Sequence, residues 1–285
     1  MNGLLPSLAL VRDIEASEIA FMTDRMLAIR DRPGNPEGIE IARFGNAACF
    51  YSKTMPWPAF NTVKGLTEAD ADAIDSIVAF YRERGRAVQF EAVPALASPI
   101  VLKKLTEAGF YPSGIHTSMY MEPERREARH EGPGSIQESG TGSGSGSISI
   151  EALREDQLEL YASIHCKGTG LPDAGIPSVA ANNRVLYGRP GWQFYLAYAD
   201  GVAAGAGVLF IQNDKASFTF AAVLPAYRNR GLHRLLLDKR IDAAHRSGCK
   251  IAVSQCAYLS QSQRNMDRAG MKLGYVRTTW TRLDD

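Results

Sequence analysis

The chain has 285 residues, 45% of them hydrophobic and 22% charged, with a formal net charge of +1; the length favours about two domains and the composition is that of a soluble globular protein. A charge so close to zero excludes a global field that would draw the chain to nucleic acid or to a membrane surface, and no apolar run approaches a membrane span. The opening MNGLLPSLALVRDIEAS lacks a basic leader and a small-residue cleavage site, so it reads as mature, cytoplasmic protein.

In chain order, Ser17–Arg30 carries apolar residues at helical spacing (Ile19, Met22, Met26, Ile29), with Ser17 placed to cap its start. Ile39–Phe44 and Ala47–Ser52 read as a hairpin around Gly45-Asn46. Met55–Phe60 is a rigid, aromatic, Pro-rich loop that either shapes a pocket or packs at a domain interface. A helix Asp70–Arg84, a strand Ala87–Val93, a helix Pro99–Ala108, a Gly109-Phe110 turn and a last strand complete the first half. Residues 124–147, charged at first and then Gly/Ser-rich, bury nothing and read as a flexible linker between a domain 1–123 and a domain 148–285.

In the second half, Glu155–Ile164 and Pro177–Leu186 read as helices, joined by the glycine-rich stretch Lys167–Gly175. Strands Trp192–Tyr198, Ala203–Ile211 and Ala216–Val223 follow, with turns at Asp200-Gly201 and Asn213-Asp214. Next come Pro225, the basic loop Arg228-Asn229-Arg230-Gly231, and an amphipathic helix Leu232–Arg246. A strand, a basic turn and a helix start in that order present free backbone N–H groups beside arginines, a place suited to a pyrophosphate. One glycine and no Gly-Lys-Ser/Thr exclude a Walker loop or a dinucleotide fingerprint. The plain alternative for Arg-x-Arg-Gly alone is a solvated basic turn. A strand Ile251–Cys256, a helix Ser262–Ala269 and a Gly270-Met271 turn lead to the final strand. The order helix, strand, helix, Gly-apolar turn, strand thus occurs in both halves, which points to two copies of one α/β (α+β) unit, each a mixed, mostly antiparallel sheet flanked by helices. Four cysteines (Cys49, Cys166, Cys249, Cys256) form no CxxC pair and no metal spacing, so buried free thiols and no metal are expected.

The stretch Arg228-Asn229-Arg230-Gly231-Leu232-His233 resembles the coenzyme A loop of the GNAT N-acetyltransferase superfamily, with His in place of the usual final Gly or Ala. With the preceding strand, Ser262-Gln-Arg-Asn265-x-x-Arg268-x-Gly270 and Tyr275-x-Arg277-x-x-Trp280, the chain resembles a tandem group of that superfamily. The resemblance implies acetyl-CoA as cosubstrate, with its pyrophosphate on the amides of residues 228–233 and its carbonyl on a backbone amide near Val223 or Leu224. It also implies a pantetheine arm beside a splayed strand 251–255, with Ser262 and Asn265 on coenzyme A; Ser262 is also a natural helix N-cap. His233 would meet a phosphate or ribose oxygen, or cover the helix start.

The first half departs from the family. Phe60–Thr67 holds no arginine-glycine turn, and Glu68, Asp70 and Asp72 at the helix start would repel a pyrophosphate. This half is expected to lack coenzyme A and to wall the acceptor site. The family's general-acid Tyr falls on Met266, and Ala216–Val223 carries no carboxylate base. Tyr258 is the substitute acid, ahead of Cys256 and Ser260, and His165 is either a base or a structural histidine. The expected activity is transfer of acetyl from acetyl-CoA to the amine of a small molecule, by direct attack in a ternary complex. The alternatives are a coenzyme A sensor with little catalysis and an acyltransferase for a protein amine. Because a duplicated unit supplies its own partner surface, a monomer is expected.

Overall fold

The computed structural model describes residues 5–125 and 147–282. In chain order it contains α1 (Leu8–Arg30), β1 (Glu40–Phe44), β2 (Ala47–Tyr51), β3 (Thr62–Lys64), α2 (Ile74–Arg82), β4 (Gln89–Ala92), α3 (Pro99–Glu107) and β5 (Phe110–Met121). Then follow β6 (Ile148–Ala152), α4 (Leu158–Thr169), α5 (Ile176–Arg184), β7 (Trp192–Ala199), β8 (Val202–Gln212), β9 (Lys215–Val223), α6 (Leu232–Arg246), β10 (Ile251–Ala257), α7 (Gln261–Arg268) and β11 (Lys272–Arg282). Of the expected linker, residues 126–146 lie outside the described residues.

Two compact units form, and they cut across the division expected at the linker. Unit 1 is Met1–Met121 with Val253–Asp285, and unit 2 is Glu122–Ala252. The cause is β11, which pairs antiparallel with β4 through Thr278–Trp280 and with β5 from Lys272 to Arg282. Unit 1 thus has the strand order β1-β2-β3-β4-β11-β5, antiparallel except where β3 runs parallel to β4. One face packs on α2 and α3 through Ile74, Ile77, Tyr81, Val101, Leu105, Phe90 and Phe110, the last two edge to face at 4.9 Å. The parallel pair is brief because β3 has three residues, too few to show a period in the sequence.

The α1 face of unit 1 is polar at depth. Glu15 and Glu18 of α1 are buried with Lys64 of β3, Glu91 of β4, Ser118 of β5, and Tyr275 and Arg277 of β11. Arg277 Nη1 donates to Glu18 Oε2 at 2.5 Å and lies 3.1 Å from Glu91 Oε2, to which Lys64 Nζ also donates. Tyr275 Oη donates to Glu15 Oε2 at 2.7 Å, and the Gly65 N–H to Glu15 Oε1 at 3.0 Å. Burial, aided by Glu18, raises the Glu15 carboxyl above its ordinary range. Burial alone would raise Glu91 too, but Lys64 and Arg277 hold it below.

Unit 2 is an antiparallel meander, β6-β7-β8-β9. Phe194 of β7 meets Tyr161 of α4 edge to face at 5.4 Å, while the ring of its neighbour Tyr195 lies under Lys239 of α6. Successive strand residues point to opposite faces, so α4 and α6 cover the two sides. That cover explains why β7 to β9 read as nearly continuous apolar runs.

Several boundaries differ from expectation. Ser7, not Ser17, caps α1, accepting from the Leu10 N–H at 3.2 Å; Ser17 is buried in mid-helix. The expected helix from Asp70 opens as a 3-10 turn, Glu68–Ala73, before α2. The four cysteines are free and buried, as expected, and burial pushes the Cys49 thiol up to about 12.

Candidate functional site

The basic loop follows β9 as foreseen. A 3-10 turn at Pro225–Tyr227 ends the strand, and Gly231 caps α6 in the left-handed region at φ 85°. Asn229 is also left-handed, at φ 64°. No side chain caps α6 and no acid stands in its first turn. Among the described residues, the N–H groups of Asn229, Arg230, Gly231 and Leu232 have no partner, and the loop is exposed. Four consecutive open amides at the positive end of a 15-residue helix form an anion cradle.

The two arginines do not line that cradle. Arg228 Nη2 donates to Gly168 O at 2.9 Å, and Arg230 Nη2 to Asp200 Oδ2 at 2.6 Å. The Arg230 guanidinium also lies over the Tyr227 ring, 5.4 Å from its centroid. The side chains hold the loop to α4 and to the β7–β8 turn, and the backbone is left to meet an anion.

Of the two candidate carbonyl contacts, the Leu224 N–H already donates to Ala204 O at 2.8 Å. Antiparallel pairing alternates, so the Val223 N–H turns away from β8. Just before it β9 bulges: Phe220 and Ala221 together face Gly207, with Phe220 left-handed at φ 48°. The end of α4 closes on this spot. A Cβ at Gly168 would stand 2.8 Å from the Ala222 Cβ and 3.3 Å from the Val223 N, so only glycine permits the approach.

His233 is half-buried in the first turn of α6, and burial, with Arg240 nearby, pushes it down to about 4. In the free protein it is therefore a neutral imidazole near neutral pH. Arg240 is buried on the sheet side of α6. Its Nε donates to Leu236 O at 2.9 Å, its Nη2 has no partner, and its guanidinium lies 5.2 Å from the Phe218 ring centroid. Burial lowers it to about 10.

The remaining candidates, apart from His165, belong to unit 1. Tyr258 is exposed, its N–H donating to Ile115 O at 3.3 Å. Ser260, not Ser262, caps α7, accepting from the Gln263 N–H at 3.2 Å. Ser262 lies in the first turn, and Asn265 Oδ1 accepts from Gln261 Nε2 at 3.0 Å. Met266 is buried. Thr117 Oγ1 lies 3.1 Å from the Cys256 Sγ, and burial raises that thiol. In unit 2, His165 is within α4, stacked on Tyr161 at 6.0 Å and edge-on to Phe220. The expected loop 167–175 is partly helical: α4 runs to Thr169, Gly170 ends it at φ 79°, and a 3-10 turn fills Asp173–Gly175.

The matching turn of unit 1 offers no cradle. The Gly65 N–H goes to Glu15, and the Thr67 and Asn46 N–H groups go to the Asp70 carboxylate at 2.9 and 2.8 Å. Internal carboxylates occupy its donors. Sequence reasoning missed Gly168, Asp200 and Arg240 as parts of the loop's surroundings; only the chemistry of an arginine on the apolar stripe of α6 could have marked the last. Among the described residues no group of His, Cys, Asp and Glu is placed to hold a metal, and no helix is long and apolar enough to cross a membrane.

A bulged antiparallel strand leading to an uncapped, glycine-turned helix start, within a tandem α+β architecture, defines a GNAT fold. Residues 159–270 match the model of the acetyltransferase (GNAT) family. No curated protein matches the chain. Among solved structures it is similar to a GCN5-related N-acetyltransferase from Kribbella flavida, 12% identical over 91% of this chain and 95% of that one, with a TM-score of 0.58. A tandem GNAT protein from the clavulanic acid biosynthesis pathway is 15% identical over 97% of each chain, with a TM-score of 0.57. A GCN5-related N-acetyltransferase from Sphaerobacter thermophilus is 15% identical over 77% of this chain and 70% of that one, with a TM-score of 0.54. At these identities the likeness is one of fold.

Proposed function

We propose that the chain is a monomeric, acetyl-CoA-dependent N-acetyltransferase acting on a small-molecule amine. The observation that carries the reading is the run of four unpartnered amides from Asn229 to Leu232 at the start of α6. They would hold the pyrophosphate, with His233 a neutral neighbour. The Val223 N–H, turned out of the β8 ladder, would polarise the thioester carbonyl and steady the oxyanion. The amine then attacks directly: a C–N bond forms, the C–S bond breaks, the amine loses a proton and the thiolate gains one. Tyr258 is the candidate acid for the thiolate. Holding both reactants together supplies much of the rate. Unit 1, whose own turn is filled by Glu15 and Asp70, carries no second coenzyme A.

The second reading is a coenzyme A sensor with little turnover. It is favoured by the buried Met266 where the family places an acid, and by the lack of a carboxylate on β9. Calorimetric titration of acetyl-CoA into the wild type and Gly231→Val tests the shared premise: micromolar binding lost in the variant supports it, and no binding to the wild type sinks both readings. Thiol release across a panel of amines separates them.

A further inference from the structure

We propose that unit 1 carries a binding site for a primary amine, built from Glu91, Thr279 and His116 around the notch left by Gly114. It rests on the amine-acceptor reading above, which makes an amine the ligand class for this protein. The four residues share one face of the sheet. Glu91 of β4 pairs with Thr279 of β11, Thr279 pairs with Gly114 of β5, and His116 pairs with Arg277 two residues along.

Each of the three side chains keeps an acceptor unused. Glu91 holds Lys64 and Arg277 through Oε2; among the described residues Oε1 has no partner, nor has Thr279 Oγ1 or His116 Nε2. None of these three atoms is among the fully buried orphans, so each touches solvent, although the Glu91 side chain is only 9% exposed. Beside them, Arg277 Nε and His116 Nδ1 are buried without partners. Such orphans are costly in a closed core and common where a ligand or water completes the set. At Gly114 a Cβ would stand 3.5 Å from the Thr279 Cβ and 3.7 Å from the His116 Cε1, so the glycine leaves a notch between hydroxyl and imidazole.

The chemistry on the walls selects a donor. A carboxylate oxygen and a hydroxyl accept hydrogen bonds, as does the unprotonated nitrogen of a neutral imidazole. Burial, with Arg277 beside it, holds His116 below its ordinary range, and Lys64 and Arg277 keep Glu91 ionised against its burial. The charges that face the site from every packed element nearly cancel. Glu18 and Glu91 balance Lys64 and Arg277, and Glu15 of α1 is raised towards its neutral form by burial and Glu18. Glu91 Oε1 is then the open charge nearest to an entering ammonium.

The test uses the full chain with its histidines carbon-13 labelled, and n-propylamine as the probe. The His116 Cε1–H resonance, assigned with His116→Gln, is expected to shift saturably with n-propylamine and not with n-propanol. Glu91→Gln is expected to weaken the amine at least about tenfold. Should that variant fail to fold, Gly114→Val, at a β position with no left-handed φ, fills the notch and is expected to abolish the shift while the far-ultraviolet spectrum stays unchanged. Equal shifts with propanol, no shift at His116, or full amine affinity in Gly114→Val would overturn the site. No acetyl-CoA is present, so failure here leaves the loop reading intact, and failure of the loop titration leaves this result intact.

Discussion

Arg228 gives its Nη2 to the Gly168 carbonyl at 2.9 Å, tying the basic loop of unit 2 to the last turn of α4. The guanidinium thus braces the loop. Arg228→Ala is expected to weaken acetyl-CoA by less than about fivefold, since exposed polar contacts contribute little. Gly231→Val, by contrast, forces a β-branched residue to φ 85° and tilts the open amides. That strain costs about 1–3 kcal/mol, and calorimetry is expected to show a loss well beyond tenfold. Equal effects of the two variants would return the binding role to the arginine.

Gly168 makes a second prediction. A side chain there meets Ala222 and Val223 at sub-contact distance. Gly168→Val is expected to destabilise unit 2 by about 1–3 kcal/mol through overpacking. Lifting α4 from the Val223 amide is also expected to lower the turnover number more than it raises the KM for acetyl-CoA. Steady-state kinetics with thiol detection separate the two parameters; an unchanged turnover number would remove α4 from the acyl site.

Arg240 carries a buried charge with no carboxylate partner among the described residues and an orphaned Nη2. Replacing such a charge by an apolar chain of similar length is often stabilising by about 1–3 kcal/mol. Arg240→Met is therefore expected to raise the Tm in calorimetric scans, and a fall would mean that the bonds to Leu236 O and Val208 O outweigh the desolvation. The same variant relieves His233 of a neighbouring cation, so its pKa is expected to rise from about 4.

Two groups set opposite pH slopes. His233 is lowered on folding, so the unfolded chain binds more protons between its ordinary value and about 4. Its contribution is complete above that window and is lost as pH falls through it. Glu15 is raised by burial and by Glu18, so its contribution is complete below the ordinary carboxylate value and is lost as pH rises through the folded value. Glu15→Gln keeps an acceptor for the Gly65 N–H and removes that loss. Denaturant curves are expected to show the variant gaining on the wild type as pH increases from acid to neutral. A constant difference would mean that Glu15 binds its proton equally in the folded and unfolded chain.

The loop was legible because its signals are local: Pro225, the two arginines, Gly231 and the periodicity of α6 follow one another within a few residues. The bulge at Phe220 and the approach of Gly168 were not, since each depends on a partner in another element. Ser260 and Ser262 are chemically equal caps. What decides between them is Leu259, left-handed at φ 57° with its N–H on Gln263 Oε1, which starts the helix two residues earlier. Nor were the buried acids of α1 legible: Glu15 and Glu18 are enclosed only by β3, β4 and β11, assembled from distant sequence. The place of β11 was hidden for the same reason. Its sequence says strand, and its neighbours lie more than 150 residues upstream.

That strand reverses the usual order of events at the ribosome. Chains commonly fold from the N-terminus as they emerge. Here unit 2 is complete once residue 252 is out, whereas unit 1, begun first, stays without the strand between β4 and β5 until residues 272–282 appear. For that interval β4 and β5 lack their shared partner, and Glu91 lacks the Arg277 guanidinium. A released chain truncated after residue 260 should therefore present a protease-resistant unit 2 and a cleavable first unit, and β11 acts as the fastening of the part made first.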